Sequence, residues 1–463
     1  MKIAMQRRQS LPPLISRFSP VSNPCCEVIP VQSGLTSRPV SLGGSRTQGA
    51  LILAPFAGDI GHLGCRRVAR FCRWLTASGF SVCVMTSGDC AIDAPVETLS
   101  VADPLRVHCS GVSTPMAQKR SKTLARRVAR RVVVPDSTIA WALMVCGSAR
   151  AYRAARRASV VITTGPPEAP HLAGTWLSRL TGTPHLVDYR DGWTDEPLKR
   201  EMQDSGVRRW VESFLEAAVL RHAAAVTLTS EEWSHAVSSR HPEMARRLHV
   251  LTNCVPAGLR PNASLSHNPR MRRLVYAGRL SGSHFSRRPD PLLEYLQTEA
   301  QLLGSALEVV FIGELAAEEV ARIQAFADRV SGFGWFVRQL GNLPYERVLE
   351  ELSRSDGFLL LSASQHALPS KLFDYLGLGR PILCMADPMS AAWRVCSRLP
   401  QAWMVDIAAP TSRPGFCRSV ESAESTSVPF EFTEDAVRER FLEIVREVAK
   451  SRPFQGSRDQ SLP

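Results

Sequence analysis

The sequence predicts two α/β domains, each a parallel sheet covered by helices on both faces, facing one another across a cleft. Three observations carry that prediction. Short apolar runs alternate with helical stretches along most of the chain. Its 463 residues exceed one ordinary core. A stretch rich in Pro, Asn, Ser and Gly, Pro256 to Pro269, cuts the alternation in two. The expected division is an extension 1–48, a first domain 49–255, a linker 256–269, a second domain 270–430, a closing helical segment 431–450 and a tail 451–463.

The extension is rich in Ser, Pro and Arg, with Glu27 its only acid, and lacks the apolar centre of a secretory signal. Its repeated prolines disfavour a transit helix, so a disordered segment or an upstream start is expected. Ala50–Ala54 is the first strand, followed by the loop 55–64, a helix through about Ser78, and a strand at Ser81–Met85. Gly58, Gly61 and Gly64 in that loop permit close backbone approach to a ligand at the helix start, although connecting loops are glycine-rich for turn reasons too. Further strands are expected at Val160–Thr163, His185–Tyr189, Ala225–Thr229 and His249–Leu251. Beyond the linker the alternation resumes at Arg273–Tyr276, Glu308–Ile312, Phe336–Leu340, Asp356–Ser362 and Pro381–Cys384, and a helix is expected over Glu434–Ala449.

The segment Pro369-Ser-Lys-Leu-Phe-Asp-Tyr-Leu-Gly-Leu-Gly-Arg-Pro-Ile382 is the most informative part of the chain. It reads as a short helix that Ser370 can cap and that Gly377 with Gly379 can end. Lys371 and Asp374, three residues apart, share a face. The helix start and Lys371 would meet an anion, and the Asp374 carboxylate would accept hydrogen bonds from vicinal hydroxyls such as those of a ribose. An ordinary surface helix with an ion pair is the plain alternative. The preceding apolar run, read as a buried parallel strand, places the charged face at the carboxyl end of a sheet, where open α/β folds bind ligands.

These residues resemble the nucleotide-sugar segment of bacterial glycosyltransferases of family 4, GT-B enzymes that build exopolysaccharide, capsule and lipid-linked glycans. Asp188-Tyr-Arg-Asp-Gly-Trp193, Thr164–His171, Leu251–Val255 and Leu274–Arg279 are similar to other family stretches in order and spacing. Many members carry two glutamates seven residues apart; Asp374 stands at the second position and His366 at the first. The resemblance implies two Rossmann-like domains, with the last helix packing back on the first. It implies a nucleotide-sugar donor and transfer with retention. It also suggests Arg279 and a second basic residue, Arg288, as phosphate contacts, because a basic pair follows this strand in the family.

Asp191 and Arg190, just after a strand, are expected at the cleft, with Asp191 orienting or deprotonating an acceptor hydroxyl. A turn or structural pair is the alternative there. His171 could hydrogen-bond the transferred sugar, or be structural. Asp-x-Asp is absent, so basic side chains and helix N-termini, with no metal or other cofactor, are expected to meet the charge that builds on the leaving diphosphate.

Composition narrows the partners. The net charge is +13. Between Ala117 and Arg157 there are eleven Lys or Arg against the single acid Asp136. Arg126, Arg127, Arg130 and Arg131 alternate with apolar residues at helical spacing, which suits a helix on an anionic bilayer, or a solvated basic face. Nucleic acid is disfavoured because stacking aromatics are missing there. No run approaches the length of a membrane span, so peripheral attachment to the cytoplasmic face of the inner membrane is expected. The twelve cysteines are scattered, which favours reduced thiols. The leading expectation is a sugar transferase acting on a lipid-linked or growing polysaccharide acceptor; a sugar-nucleotide epimerase and a catalytically silent binding relative are the alternatives.

Overall fold

The computed structural model describes residues 48–58, 63–90, 92–105, 133–195, 206–260, 271–280, 288–421 and 426–451. The described residues form one compact unit. The 1–47 extension, most of the basic helical stretch, residues 261–269 of the linker and the tail beyond Ser451 lie outside them.

The first sheet has seven parallel strands: β1 (Gly49–Leu53), β2 (Ser81–Thr86), β3 (Glu97–Ser100), β4 (Val160–Gly165), β5 (His185–Tyr189), β6 (Ala225–Leu228) and β7 (Leu248–Val250). Their order is β3-β2-β1-β4-β5-β6-β7. Its helices are α1 (Leu63–Ala77), α2 (Ile139–Cys146), α3 (Ala149–Arg157), α4 (Ala169–Thr181), α5 (Gly206–His222) and α6 (Glu231–Arg240). The second sheet has six strands: β8 (Arg272–Ala277), β9 (Leu307–Ile312), β10 (Trp335–Gly341), β11 (Gly357–Ser362), β12 (Ile382–Ala386) and β13 (Ala402–Asp406). Their order is β10-β9-β8-β11-β12-β13. Around it stand α7 (Asp290–Leu303), α8 (Ala317–Val330), α9 (Tyr345–Ser353), α10 (Lys371–Leu378), α11 (Ala391–Cys396) and α12 (Phe416–Glu421), and α13 (Glu434–Lys450) closes the chain's described part.

Both sheets are parallel and fully buried at their centres, as β1, β4, β9, β11 and β12 show by having no exposed residue. Their orders place a topological switch between β1 and β4 in one domain and between β8 and β11 in the other. Ligands of open parallel sheets bind outside the strand carboxyl ends at such points.

Alternation along β1 assigns the helices to faces. Ala50 and Ile52 share a core with α1, whereas Leu51 and Leu53 share one with α2, α3 and α4. α13 completes the first of these cores. Phe441 stacks on Phe71 with ring centroids 4.2 Å apart, and Trp74 Nε1 donates to Glu434 at 2.9 Å. Within the same domain Asp188 is buried against Arg67, which donates from Nε at 2.9 Å and from Nη2 at 2.8 Å. Burial alone would raise this carboxyl's pKa; Arg67, Thr227 and Thr164 overcome that and hold it below its ordinary value. The pair therefore stabilises the fold at neutral pH, and that contribution disappears only as the pH falls through the lowered value.

Two expectations about helix ends are corrected. Ser370 occupies the start of α10 with helical backbone angles and no capping bond from its side chain. Gly377 lies inside α10, and only Gly379, at φ +64, ends it. The small size of Gly377 has another cause: a Cβ there would meet Val255 and Leu259 at 2.8 Å, where the end of the first domain and the start of the linker cross the helix.

Candidate active site

Between the two switch points lies a cleft of about 740 Å³. Its first wall is built by α1. Apolar Cys65, Val68, Cys72 and Leu75 turn this helix inward, which leaves Arg66, Arg70 and Arg73 along the opposite face at i, i+4 and i+7. All five arginines lining the cleft, Arg66, Arg67, Arg70, Arg73 and Arg190, come from the first domain. The second wall is formed by the start of α9 and of α10, with Tyr345, Ser364, Ser370, Phe373 and Asp374.

Arg66 joins the two walls. The Arg66 guanidinium lies 3.4 Å above the Tyr345 ring, and the Tyr345 hydroxyl donates to Asp374 Oδ1 at 2.7 Å. Burial pushes the Asp374 carboxyl up to about 6, with the Tyr345 hydroxyl, Arg66 and Arg70 pulling the other way. Arg70 donates from Nη1 to the Cys254 carbonyl at 3.3 Å and meets its Sγ at 2.8 Å. That contact leaves its remaining donors to the cleft.

Arg190 donates through Nε to the Gly165 carbonyl at 3.3 Å and through Nη2 to the Pro166 carbonyl. Burial lowers its pKa, against Asp191 and Asp188. Gly64 makes this placement possible, because a Cβ there would sit 2.4 Å from Arg190 Nη1 and 2.8 Å from the Phe56 ring. The close approach expected of this glycine is thus made to an arginine of the same domain. Gly58 lies in the turn after β1, and Gly61 is outside the described residues. Asp191 is exposed on the cleft lining.

Several expected site residues stand elsewhere. His171 is fully buried, hydrogen-bonded through Nδ1 to Thr163 Oγ1 at 2.6 Å and packed on Tyr189 and Trp193, so it occupies the interior. Lys371 brings its ammonium 3.5 Å from the Tyr276 ring centroid and does not line the cleft. Arg279 is exposed and paired with Glu314 at 2.9 Å. Arg288 is exposed at the approach to α7 and also lies off the cleft lining. Arg126, Arg127, Arg130 and Arg131 lie outside the described residues. The His366 ring stacks on Trp233 of the first domain, centroids 4.7 Å apart, while its carbonyl accepts from Ser230 Oγ. The first-acid position therefore serves as a contact between domains.

Sequence reasoning missed Arg66, Arg70 and Tyr345. The arginine spacing along an amphipathic helix after a glycine loop was a usable signal. Tyr345 carried none, since a tyrosine at a helix start is ordinary.

Residues 65–254 match the family model described as glycosyl transferase 4-like domain. The chain carries a glycosyl transferase 4-like domain. Its fold is GT-B, as solved structures agree. Anabaena HepE in complex with UDP and glucose superposes with a TM-score of 0.56 at 11% identity, over 87% of this chain and 98% of that one. A UDP-forming α,α-trehalose-phosphate synthase from Burkholderia xenovorans gives 0.56 at 11% identity, over 88% and 100%. A glycosyltransferase from Rickettsia africae gives 0.53 at 11%, over 88% and 100%. At such identities the likeness establishes a shared fold. A search of curated proteins returns no match.

Proposed function

We propose that this glycosyltransferase transfers a sugar from a nucleoside diphosphate donor to a lipid-linked or growing polysaccharide acceptor at the inner face of a membrane. One observation carries the donor half of the reading: Arg66 and Arg70 face Asp374 and Tyr345 across a single cleft between paired switch points. Asp374 accepts the ribose hydroxyls, displacing the Tyr345 hydroxyl or sharing its carboxylate with it. Arg66 and Arg70 meet the diphosphate, where charge-assisted bonds strengthen as negative charge builds.

In the transfer, the acceptor oxygen forms a bond to the anomeric carbon while the bond to the diphosphate oxygen breaks. The acceptor proton passes to the departing diphosphate with retention of configuration, or to Asp191 if that carboxylate serves as base. Arginine supplies the cationic role in this scheme, without a divalent ion. UDP, present in the Anabaena structure, is the first nucleotide to test.

The test is incubation of the purified chain with a panel of nucleotide sugars, with and without lipid-linked acceptor. Nucleotide release that requires acceptor supports transfer. Interconversion of the donor alone supports an epimerase, and binding without turnover a silent relative; either would replace the reading.

A further inference from the structure

The outer surface of the first domain is unequal on its two faces. On the face opposite α1 and α13, the helix α4 packs between α2 and α3 on one side and α5 on the other. Seven of the fourteen exposed large hydrophobics among the described residues sit on three of these helices. They are Leu143 and Met144 of α2, Trp176 and Leu180 of α4, and Val207, Trp210 and Phe214 of α5. Trp210 is 70% exposed, and its ring stacks on Phe214 with centroids 6.2 Å apart. Aromatic side chains left in water on adjoining helices mark an interaction surface.

Charge selects the partner. The helix α3 exposes Arg150, Arg153, Arg156 and Arg157, and α4 and α5 add Arg179, Arg209 and Arg221. The two acids in these four helices, Glu212 and Glu216, are buried, so α2 to α5 expose no carboxylate. Among the described residues, four helices with tryptophan and phenylalanine at their centre, arginine around them and no exposed carboxylate suit a surface that is apolar below and anionic above. In the sequence the basic stretch 117–134 precedes α2, with Pro135 to Thr138, Asp136 among them, in between.

We infer that the outward face of α2, α4 and α5, edged by the arginines of α3, docks on an anionic phospholipid bilayer, with Trp210, Phe214, Trp176 and Leu180 entering the headgroup layer. This rests on the membrane-facing part of the proposed function for its purpose, but its test involves no turnover, so the two fail separately.

The test is flotation of the full chain with vesicles of phosphatidylcholine alone or with phosphatidylglycerol. Binding is expected only with phosphatidylglycerol, and W210S/F214S should weaken it at least tenfold with an unchanged melting temperature. Brominated acyl chains should quench the tryptophan fluorescence of the unaltered chain, a readout independent of any variant's folding. Equal flotation with neutral vesicles, absence of quenching, or full binding by W210S/F214S would overturn the inference. So would loss of binding confined to a variant neutralised at Arg126, Arg127, Arg130 and Arg131. A concentration-dependent dimer that W210S/F214S dissociates would assign the face to a second copy and overturn it equally.

Discussion

The two walls of the cleft stand on sheets whose strand orders match except for the added β7 of the first, yet they are opposite in charge. The α1 wall presents arginines; the α9 and α10 wall presents the Asp374 carboxylate with its Tyr345 partner. Neither wall by itself suits a nucleoside diphosphate, which needs acceptors for hydroxyls and cations for phosphate. On the proposed reading recognition is divided between domains, so a ligand bound by both walls would hold the domains together. Arg394 of α11, paired with Glu232 of α6 from Nε to Oε1, and His366 on Trp233 already join the same two bodies beside the cleft.

The largest effect should come from stripping the cationic wall. Replacing Arg66 and Arg70 together by alanine removes two charge-assisted contacts of about 1.5–3 kcal/mol each, so nucleotide affinity by calorimetry should fall roughly a hundredfold or more. An affinity within a few-fold of the unaltered protein would break the division of labour. On the other wall, Asp374→Asn keeps an acceptor for the Tyr345 hydroxyl and removes only the charge. The expected loss is about ten- to a hundredfold for the nucleotide, and it should be much smaller for a 2′,3′-dideoxy analogue.

Acidity gives a milder version of the same change. The carboxylate form is the one that accepts two hydroxyls, and its pKa is raised to about 6. Affinity should therefore hold above that value and fall by up to about tenfold per unit below it. Asp374→Asn should flatten the profile between pH 5 and 7; a profile unchanged by the substitution would assign the titration to another group. The smallest effect is expected at Lys371, whose ammonium is engaged on the Tyr276 ring. Lys371→Met should change nucleotide affinity less than about threefold, since its ammonium lies on the Tyr276 ring and not on the cleft lining. A loss exceeding that of Arg66 and Arg70 would transfer the phosphate site to the second domain.

Strand positions were legible because the central strands are buried on both faces and read as continuous apolar runs. The two strands missed, β3 and β13, lie at sheet edges, where β3 is mostly exposed and carries Glu97 and Ser100. That exposure removes the apolar run from β3, whereas β13 has no exposed residue and the edge strands β7 and β10 were read, so edge position alone does not hide a strand. The place of Asp374 on the cleft lining was legible because a short helix after a buried strand turns one polar side to the strand carboxyl ends. Lys371 misled for a physical reason: a lysine stem is long enough to reach an aromatic face behind its own helix, and spacing says nothing about which way it turns. His171 misled because sequence does not reveal that Thr163, one strand away, holds its ring indoors. The arginine stripe of α1 was a usable local signal, but that it faces α9 and α10 was hidden, because which helix of one domain meets which helix of the other is a long-range fact that no local pattern encodes.

The position of α13 has a consequence for biosynthesis. Phe71 and Trp74 emerge from the ribosome early, but the partner that covers them, Phe441, arrives only after every strand of the second domain has been translated. Until then the nascent first half carries an open aromatic seam that invites aggregation or chaperone capture. Severing this polypeptide at the linker would yield a fragment with that seam permanently unsealed, so its two halves are separable on paper but mature as one.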